Sequence, residues 1–204
     1  KSHKGSKDKE MIRFGTNEAH LRTMVLKNGK QYQIDMHLKH NRSKGIAVNK
    51  IPMKKASELF GILNIVFFSP EDLNIIKNGP SERRHFLDAE LCQLDKIYLS
   101  DLSNYNKILN QRNKLLKDMV YRPELSDTLP VWDMQLIDTG KKIIRRREQF
   151  VKELNELVHE IHYRISGGRE ELFLSYEPSV SADLLEQELE RVKPRDLKQC
   201  QTSV

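Results

Sequence analysis

The stretch LDAELCQLDKIYLSDLSNYNKILNQRNKLLK, residues 87–117, decides the architecture. Along it Leu87, Leu91, Leu94, Tyr98, Leu102, Tyr105, Leu109, Arg112 and Leu116 recur at steps of three and four. That spacing keeps side chains on one face of a helix. Unbroken, a helix over residues 81–118 would be about 57 Å long at 1.5 Å per residue. Pro123 and Pro130 interrupt the pattern, which resumes at Leu136, Gly140, Ile143, Arg147, Phe150, Leu154, Leu157 and Ile161. Two such stripes joined by a short loop predict an antiparallel helical pair in which each buries the other's seam. Arg112 and Arg147 fall on those seams, and an arginine there needs a partner or must reach out to water. A turn near residue 125 puts Arg147 opposite Asp101 to Tyr105 and predicts a bond to Asp101 or Asn104.

Upstream the pattern changes to a period of two. Tyr32, Ile34, Met36 and Leu38 share one face of a strand, and a less regular run, His20 to Leu26, precedes them. Asn28-Gly29 between the runs is a strong hairpin signal, because both residues tolerate positive φ. A second short pair, Gly45–Val48 and Ile51–Met53, turns at Asn49-Lys50, and a short helix is predicted over Lys55–Gly61. Ile62 to Phe68 is almost wholly apolar and predicts a strand buried on both faces. Ser69-Pro70-Glu71-Asp72 writes a helix start, and that short helix ends at Asn78-Gly79-Pro80. Downstream, Gly167-Gly168 ends the second long helix and Glu171–Tyr176 alternates as a returning strand. An acidic helix is expected from Ser181 to about Val192, with another element after it. The chain begins without Met and stops without a terminating signal, so both ends are read as cuts.

The bulk properties narrow the function classes. No run approaches the roughly 20 apolar residues of a membrane span, and the basic opening lacks the apolar core of a signal peptide. Two cysteines, Cys92 and Cys200, give no disulfide framework and fit a reducing cytoplasm. The net charge of +6 favours polyanionic partners. The positive charge is concentrated in residues 141–147, with five cations and no acid, and in residues 1–9, with four lysines against Asp8. Such runs serve either as solvated faces with a floppy terminus or as backbone-type DNA contacts, for which Lys1, Lys4, Lys7, Lys141, Lys142, Arg145 and Arg146 are the candidates. No catalytic constellation or metal cluster is found. His159 and His162 have the wrong spacing for a zincin motif, leaving only a two-ligand i, i+3 pair. Asp88 and Glu90 point apart on a helix. Gly140-Lys141 lacks the upstream glycine of a phosphate loop, and Cys92 has no activator. Arg83 and Arg84 with Asp88 have the spacing of a plain helical ion pair.

Residues Ser69-Pro-Glu-Asp-Leu and Pro80-Ser-Glu-Arg-Arg-His-Phe-Leu-Asp88 resemble the bacterial RecF family position by position, with Asn78 a small departure. The similarity continues through Tyr105-Asn-Lys-Ile-Leu-Asn-Gln-Arg-Asn-Lys-Leu-Leu-Lys117 and Trp132-Asp133, and includes the opening Lys-Ser-His-Lys. It implies an α+β chain: part of an ABC/SMC-like ATPase head with an inserted helical domain built on the antiparallel pair. On that basis residues 1–68 are the β-rich part of the head, 69–165 the inserted arm, and 166–204 the return to the head. Arg83, Arg84, Asp88, Gln111, Arg112 and Asn113 are its motif residues. The family's Walker A loop, signature and Walker B are not in this sequence. ATP and Mg are therefore cofactors implied for the parent protein, with none expected in this chain alone. The resemblance further implies DNA binding at single/double-strand junctions, dimerisation on ATP, and work with RecO and RecR in repair, replication-fork recovery and the SOS response. The other reading makes the arm a protein–protein module, docking RecR, RecO or a second RecF through an exposed tip anchored by Tyr121, Leu125 and Leu129.

Overall fold

The computed structural model describes residues 7–66 and 69–204. The chain divides into two compact units, Lys1–Phe86 and Leu87–Val204.

In the first unit four antiparallel strands follow one another as a meander: β1 (Glu18–Lys27), β2 (Lys30–Lys39), β3 (Arg42–Val48) and β4 (Ile51–Pro52). Both expected turns form. Asn28 and Gly29 have φ of 50° and 74°, and Asn49 and Lys50 have 50° and 69°, the paired positive values that match strand twist in a two-residue hairpin. Asn49 is held further by the Gln33 N–H, which donates to its Oδ1 at 2.8 Å. Ile34 and Leu38 of β2 are buried with Ile46 and Val48 of β3 and with Ile12, whereas Leu21, Met24 and Leu26 of the edge strand β1 are exposed. Ala56–Leu59 is a 3-10 turn. The expected buried strand is not found over the described part of its run: no strand forms at 62–66, and Ile65 and Val66 are 60% and 99% exposed. Phe67 and Phe68 lie outside the described residues. The helix start at Ser69 is present, with the Ser69 N–H donating to Asp72 Oδ2 at 2.7 Å ahead of Pro70–Leu73 and α1 (Asn74–Lys77).

The first long stripe is two helices, α2 (Pro80–Leu94) and α3 (Lys96–Asp118). Asp95 breaks it: its backbone is extended, and its Oδ1 accepts from the N–H groups of Ile97 and Tyr98 at 2.9 and 3.1 Å. This is an N-cap, which satisfies donors that the start of a helix leaves open. After a 3-10 turn at Pro123–Thr128, α4 (Leu129–Ile165) runs unbroken and then meets Gly167-Gly168, both at positive φ. Arg112 of α3 reaches Asp133, and Tyr98 of α3 reaches Arg147. The pair is thus antiparallel, with its register centred on residues 122 and 123. The 3-10 turn feeds directly into α4, so the reversal falls earlier than residue 125, and Arg147 meets Tyr98 and Asp88 instead of Asp101 or Asn104.

The segment expected to be a returning strand, 171–176, forms none; its Leu174 N–H donates to Asn155 Oδ1 at 2.6 Å instead. The last element is one helix, α5 (Leu185–Gln199), which continues through Pro194 where two elements were expected. Its Leu185, Leu189 and Val192 complete a core with Leu91, Leu116, Leu136, Ile143 and Phe150. Each such side chain contributes about 1.5–3 kcal/mol on burial. Gly140 allows the close approach: a Cβ there would lie 2.8 Å from Leu185 Cδ2 and 3.5 Å from a Tyr105 ring carbon. Among the described residues no helix is long and apolar enough to cross a membrane.

Candidate nucleic-acid interface

The cation run on α4 is largely committed to acids. Lys142 Nζ lies 2.8 Å from Asp138, Arg145 2.9 Å from Asp183, Arg146 2.9 Å from Asp95, and Lys141 3.5 Å from Glu186. Lys142 and Arg145 remain exposed, but Arg146 is partly buried against the α2–α3 break and does not project freely away from the seam. Of the N-terminal candidates, Lys7 is exposed, while Lys1 and Lys4 lie outside the described residues.

A second cationic surface escaped the sequence reading because its charges are spread over about three turns instead of set in a run. Lys107, Asn110, Lys114 and Lys117 follow α3 at steps of three, four and three, and all are exposed. None of the three lysines is ion-paired among the described residues. Asn110, Asn113, Lys114 and Lys117 also line a cavity of about 410 Å³ whose far wall is Gln199, Cys200 and Gln201.

Beneath these surfaces lie two ionic networks. In the first, the wholly buried Arg112 donates from Nε to Asp133 at 2.7 Å and from Nη1 to Asp196 and Thr202 Oγ1, both at 2.8 Å. Asn113 Oδ1 accepts from the Thr202 N–H and hydroxyl at 2.8 and 2.7 Å. Two members of the Gln-Arg-Asn motif therefore clamp the C-terminal segment, while Gln111 is exposed. In the second, Arg147 donates to Asp88 at 2.7 and 3.0 Å and to the Tyr98 hydroxyl at 3.0 Å; that hydroxyl in turn donates to Asp88. Burial, opposed by the Arg147 charge, raises the Tyr98 pKa and keeps the phenol protonated. Burial first and Asp88 second push the Cys92 thiol up to about 11, so it is no nucleophile at neutral pH. Asp88 is thus engaged by Arg147, not by the helical pair with Arg83 or Arg84. Arg83 donates to the carbonyls of Ile75 and Asn78 at 3.2 and 3.0 Å, closing the end of α1, and Arg84 is exposed.

At the hairpin tip Tyr121 is 87% exposed, Leu125 is half-buried, and Leu129 is buried, which removes Leu129 as a surface anchor. Val120, Val131 and Met134 are exposed there. His159 stacks on Phe173 with ring centroids 5.0 Å apart, and His162 lies 3.7 Å from Glu170, so the two histidines do not converge on one ion. Gly140-Lys141 lies in the middle of α4 with Gly140 packed in the core, which rules out an amide nest for phosphate.

Over all 204 residues the chain is 69% identical to the DNA replication and repair protein RecF of Agathobacter rectalis, covering 56% of that protein. The chain belongs to the bacterial RecF family. The RecF of Lachnospira eligens is 58% identical over 200 residues, 97% of this chain and 55% of that one. A solved structure of the recombination mediator protein RecF-ATP in the RecFOR pathway superposes with a TM-score of 0.86 at 32% identity, over 100% of this chain and 57% of the other. No protein-family model matches the chain. The chain thus spans a little over half the length of the RecF proteins it matches, and its antiparallel sheet and helical hairpin are the RecF version of an ABC ATPase-like fold.

Proposed function

We propose that the protein to which this chain belongs is an ATP-dependent recombination mediator, and that this chain supplies its DNA-contacting arm. The whole protein would bind and dimerise on ATP with Mg, recognise single/double-strand junctions, and help load recombinase with RecO and RecR during repair, fork recovery and the SOS response. The nucleotide-binding residues would come from outside these 204 residues. The observation that carries the DNA reading is the free lysine stripe of α3. Three unpaired ammonium groups over about three turns, with Asn110 filling the gap between Lys107 and Lys114, suit contacts to phosphates without sequence preference. Lys142 and Arg145 would add to it only by giving up their carboxylate partners, and Lys7 is a further candidate with Lys1 and Lys4.

The test is a gel shift on gapped DNA with the full-length protein at low and high salt. Reversing Lys107, Lys114 and Lys117 to Glu is expected to weaken binding severalfold or more and to flatten the salt dependence by about one logarithmic slope unit per lost contact. Reversing Lys142 and Arg145 should have the smaller effect. A second reading is favoured by the exposed Val120, Tyr121, Val131 and Met134: the tip docks RecR, RecO or another RecF. The same gel shifts separate the two readings, because an arm used only for protein contacts leaves every charge reversal silent.

A further inference from the structure

The β1–β2 hairpin carries a donor set that the spacing of its residues along the chain conceals. His20 of β1 and His37 of β2 are direct cross-strand partners, so their side chains leave the same face of the sheet. Glu18 precedes His20 by two positions, and the period of a strand returns it to that face. The two imidazoles stack with centroids 3.8 Å apart and planes 22° apart. Both turn Nε2 toward one carboxylate: His37 Nε2 lies 3.0 Å from Glu18 Oε2, and His20 Nε2 lies 3.7 Å from Oε1. One ligand atom from each of the three falls within 4.8 Å of the others. Among the described residues no other group of three such side chains converges in this way.

We propose that Glu18, His20 and His37 bind one divalent transition-metal ion of the zinc class. Ligand atoms around a tetrahedral zinc with bonds of about 2.0–2.1 Å stand about 3.3 Å from one another. The two imidazole-to-carboxylate separations, each to a different Glu18 oxygen, lie on either side of that value. All three ligand atoms lie within 4.8 Å of one another, so rotations of these partly or largely exposed side chains would bring the donors into place. Two neutral imidazoles and a carboxylate are an established donor set for zinc, and three protein ligands leave a coordination position for water or for a group from a partner. The continuous β1–β2 pairing, in register from Glu18 opposite Lys39 to Lys27 opposite Lys30, holds the ligands on a rigid support. Lys39 Nζ lies 3.2 Å from Glu18 Oε2 and shares that oxygen, which leaves Oε1 as the metal-facing atom.

The experiment is zinc titration of the metal-stripped full-length protein by calorimetry, repeated with cobalt, whose visible absorption reports tetrahedral nitrogen and oxygen ligands. The variants are His20→Ala with His37→Ala, Glu18→Gln, and His159→Ala with His162→Ala as a control. The first pair is expected to lose one zinc equivalent and the matching cobalt absorption. Glu18→Gln should weaken that equivalent at least tenfold, and the control should retain it. All the altered side chains are partly or largely solvent-exposed, and unchanged circular dichroism confirms folding. Equal zinc stoichiometry and affinity in wild type and the His20/His37 variant would overturn the proposal, as would loss of the site in the control alone.

Discussion

Arg112 shows what a charge inside a helical seam demands. Its guanidinium has no exposed surface; two carboxylates and a hydroxyl accept from Nε and Nη1, while Nη2 is buried without a partner among the described residues. Replacing it with Ala leaves the buried Asp196 without a counter-charge and Asp133 with only Lys193 Nζ at 3.6 Å, which costs about 3–5 kcal/mol for a broken buried pair. Urea unfolding followed by the fluorescence of Trp132, the single tryptophan, measures this directly. A loss below about 1 kcal/mol would show that water reaches the acids. The exposed Arg83 makes two bonds to carbonyls, and its removal should cost no more than about 1–1.5 kcal/mol. The need for a partner at Arg112 was legible from its place on an apolar stripe. The partners were not, since Asp133 is 21 residues away and Asp196 is 84. Arg147 was read with the right logic and the wrong register, because a reversal between residues 122 and 123 instead of near 125 moves the position opposite it from 103 to 98.

At the scale of elements, Asp95 determines where the first stripe becomes two helices. Its carboxylate caps α3 and also accepts from Arg146 at 2.9 Å. Burial alone would raise its pKa, but the Tyr98 N–H, Arg146 and the Ile97 N–H outweigh burial and hold it below the usual carboxylate value of 3.8. A carboxylate whose pKa is depressed by folding stabilises the fold above its unfolded pKa, and that stability is lost as pH falls through the lower, folded value. Asp95→Ala should therefore destabilise at neutral pH by about 0.5–2 kcal/mol, the range for a lost N-cap. Asp95→Asn keeps a capping oxygen and should recover much of this while flattening the acid limb. Thermal melts by circular dichroism between pH 7 and pH 3 read both effects, and an Asn variant with an unaltered acid limb would refute the assignment. Helices were legible here because a period near 3.6 is a property of the segment itself. Strands were legible where a turn fixed their neighbour, as Asn28-Gly29 does. Ile62–Val66 and 171–176 have strand composition, but a strand also requires a partner ladder, which composition does not specify. Glu18, His20 and His37 were missed for the same reason, since only the β1–β2 register brings them together.

For the larger unit as a whole, long-range closure matters more than any single helix. Helices α3 and α4 bury each other's seams, yet the polar contacts that fix the end of the chain span 89 or 90 residues, from Asn113 and Arg112 to Thr202. The Ser203 N–H adds a bond of 2.8 Å to Asp196, which tightens the turn after α5 around the same buried acid. If this clasp holds α5 against the hairpin, Asn113 and Thr202 must be energetically coupled, since Asn113 Oδ1 accepts from both the N–H and the hydroxyl of Thr202. A double-mutant cycle with Asn113→Ala and Thr202→Val isolates that coupling, expected at about 0.5–3 kcal/mol for residues sharing one hydrogen-bond network. Because the contact is partly buried, the coupling should persist as salt is raised, whereas the exposed pairs Lys142–Asp138 and Arg145–Asp183 weaken under screening. Additive single-mutant effects in urea denaturation would mean that apolar packing of Leu185, Leu189 and Val192 holds α5 without the clasp. Coupling that survives in 1 M salt would establish that the Arg-Asn pair of the family motif works here by closing the arm on the end of the chain.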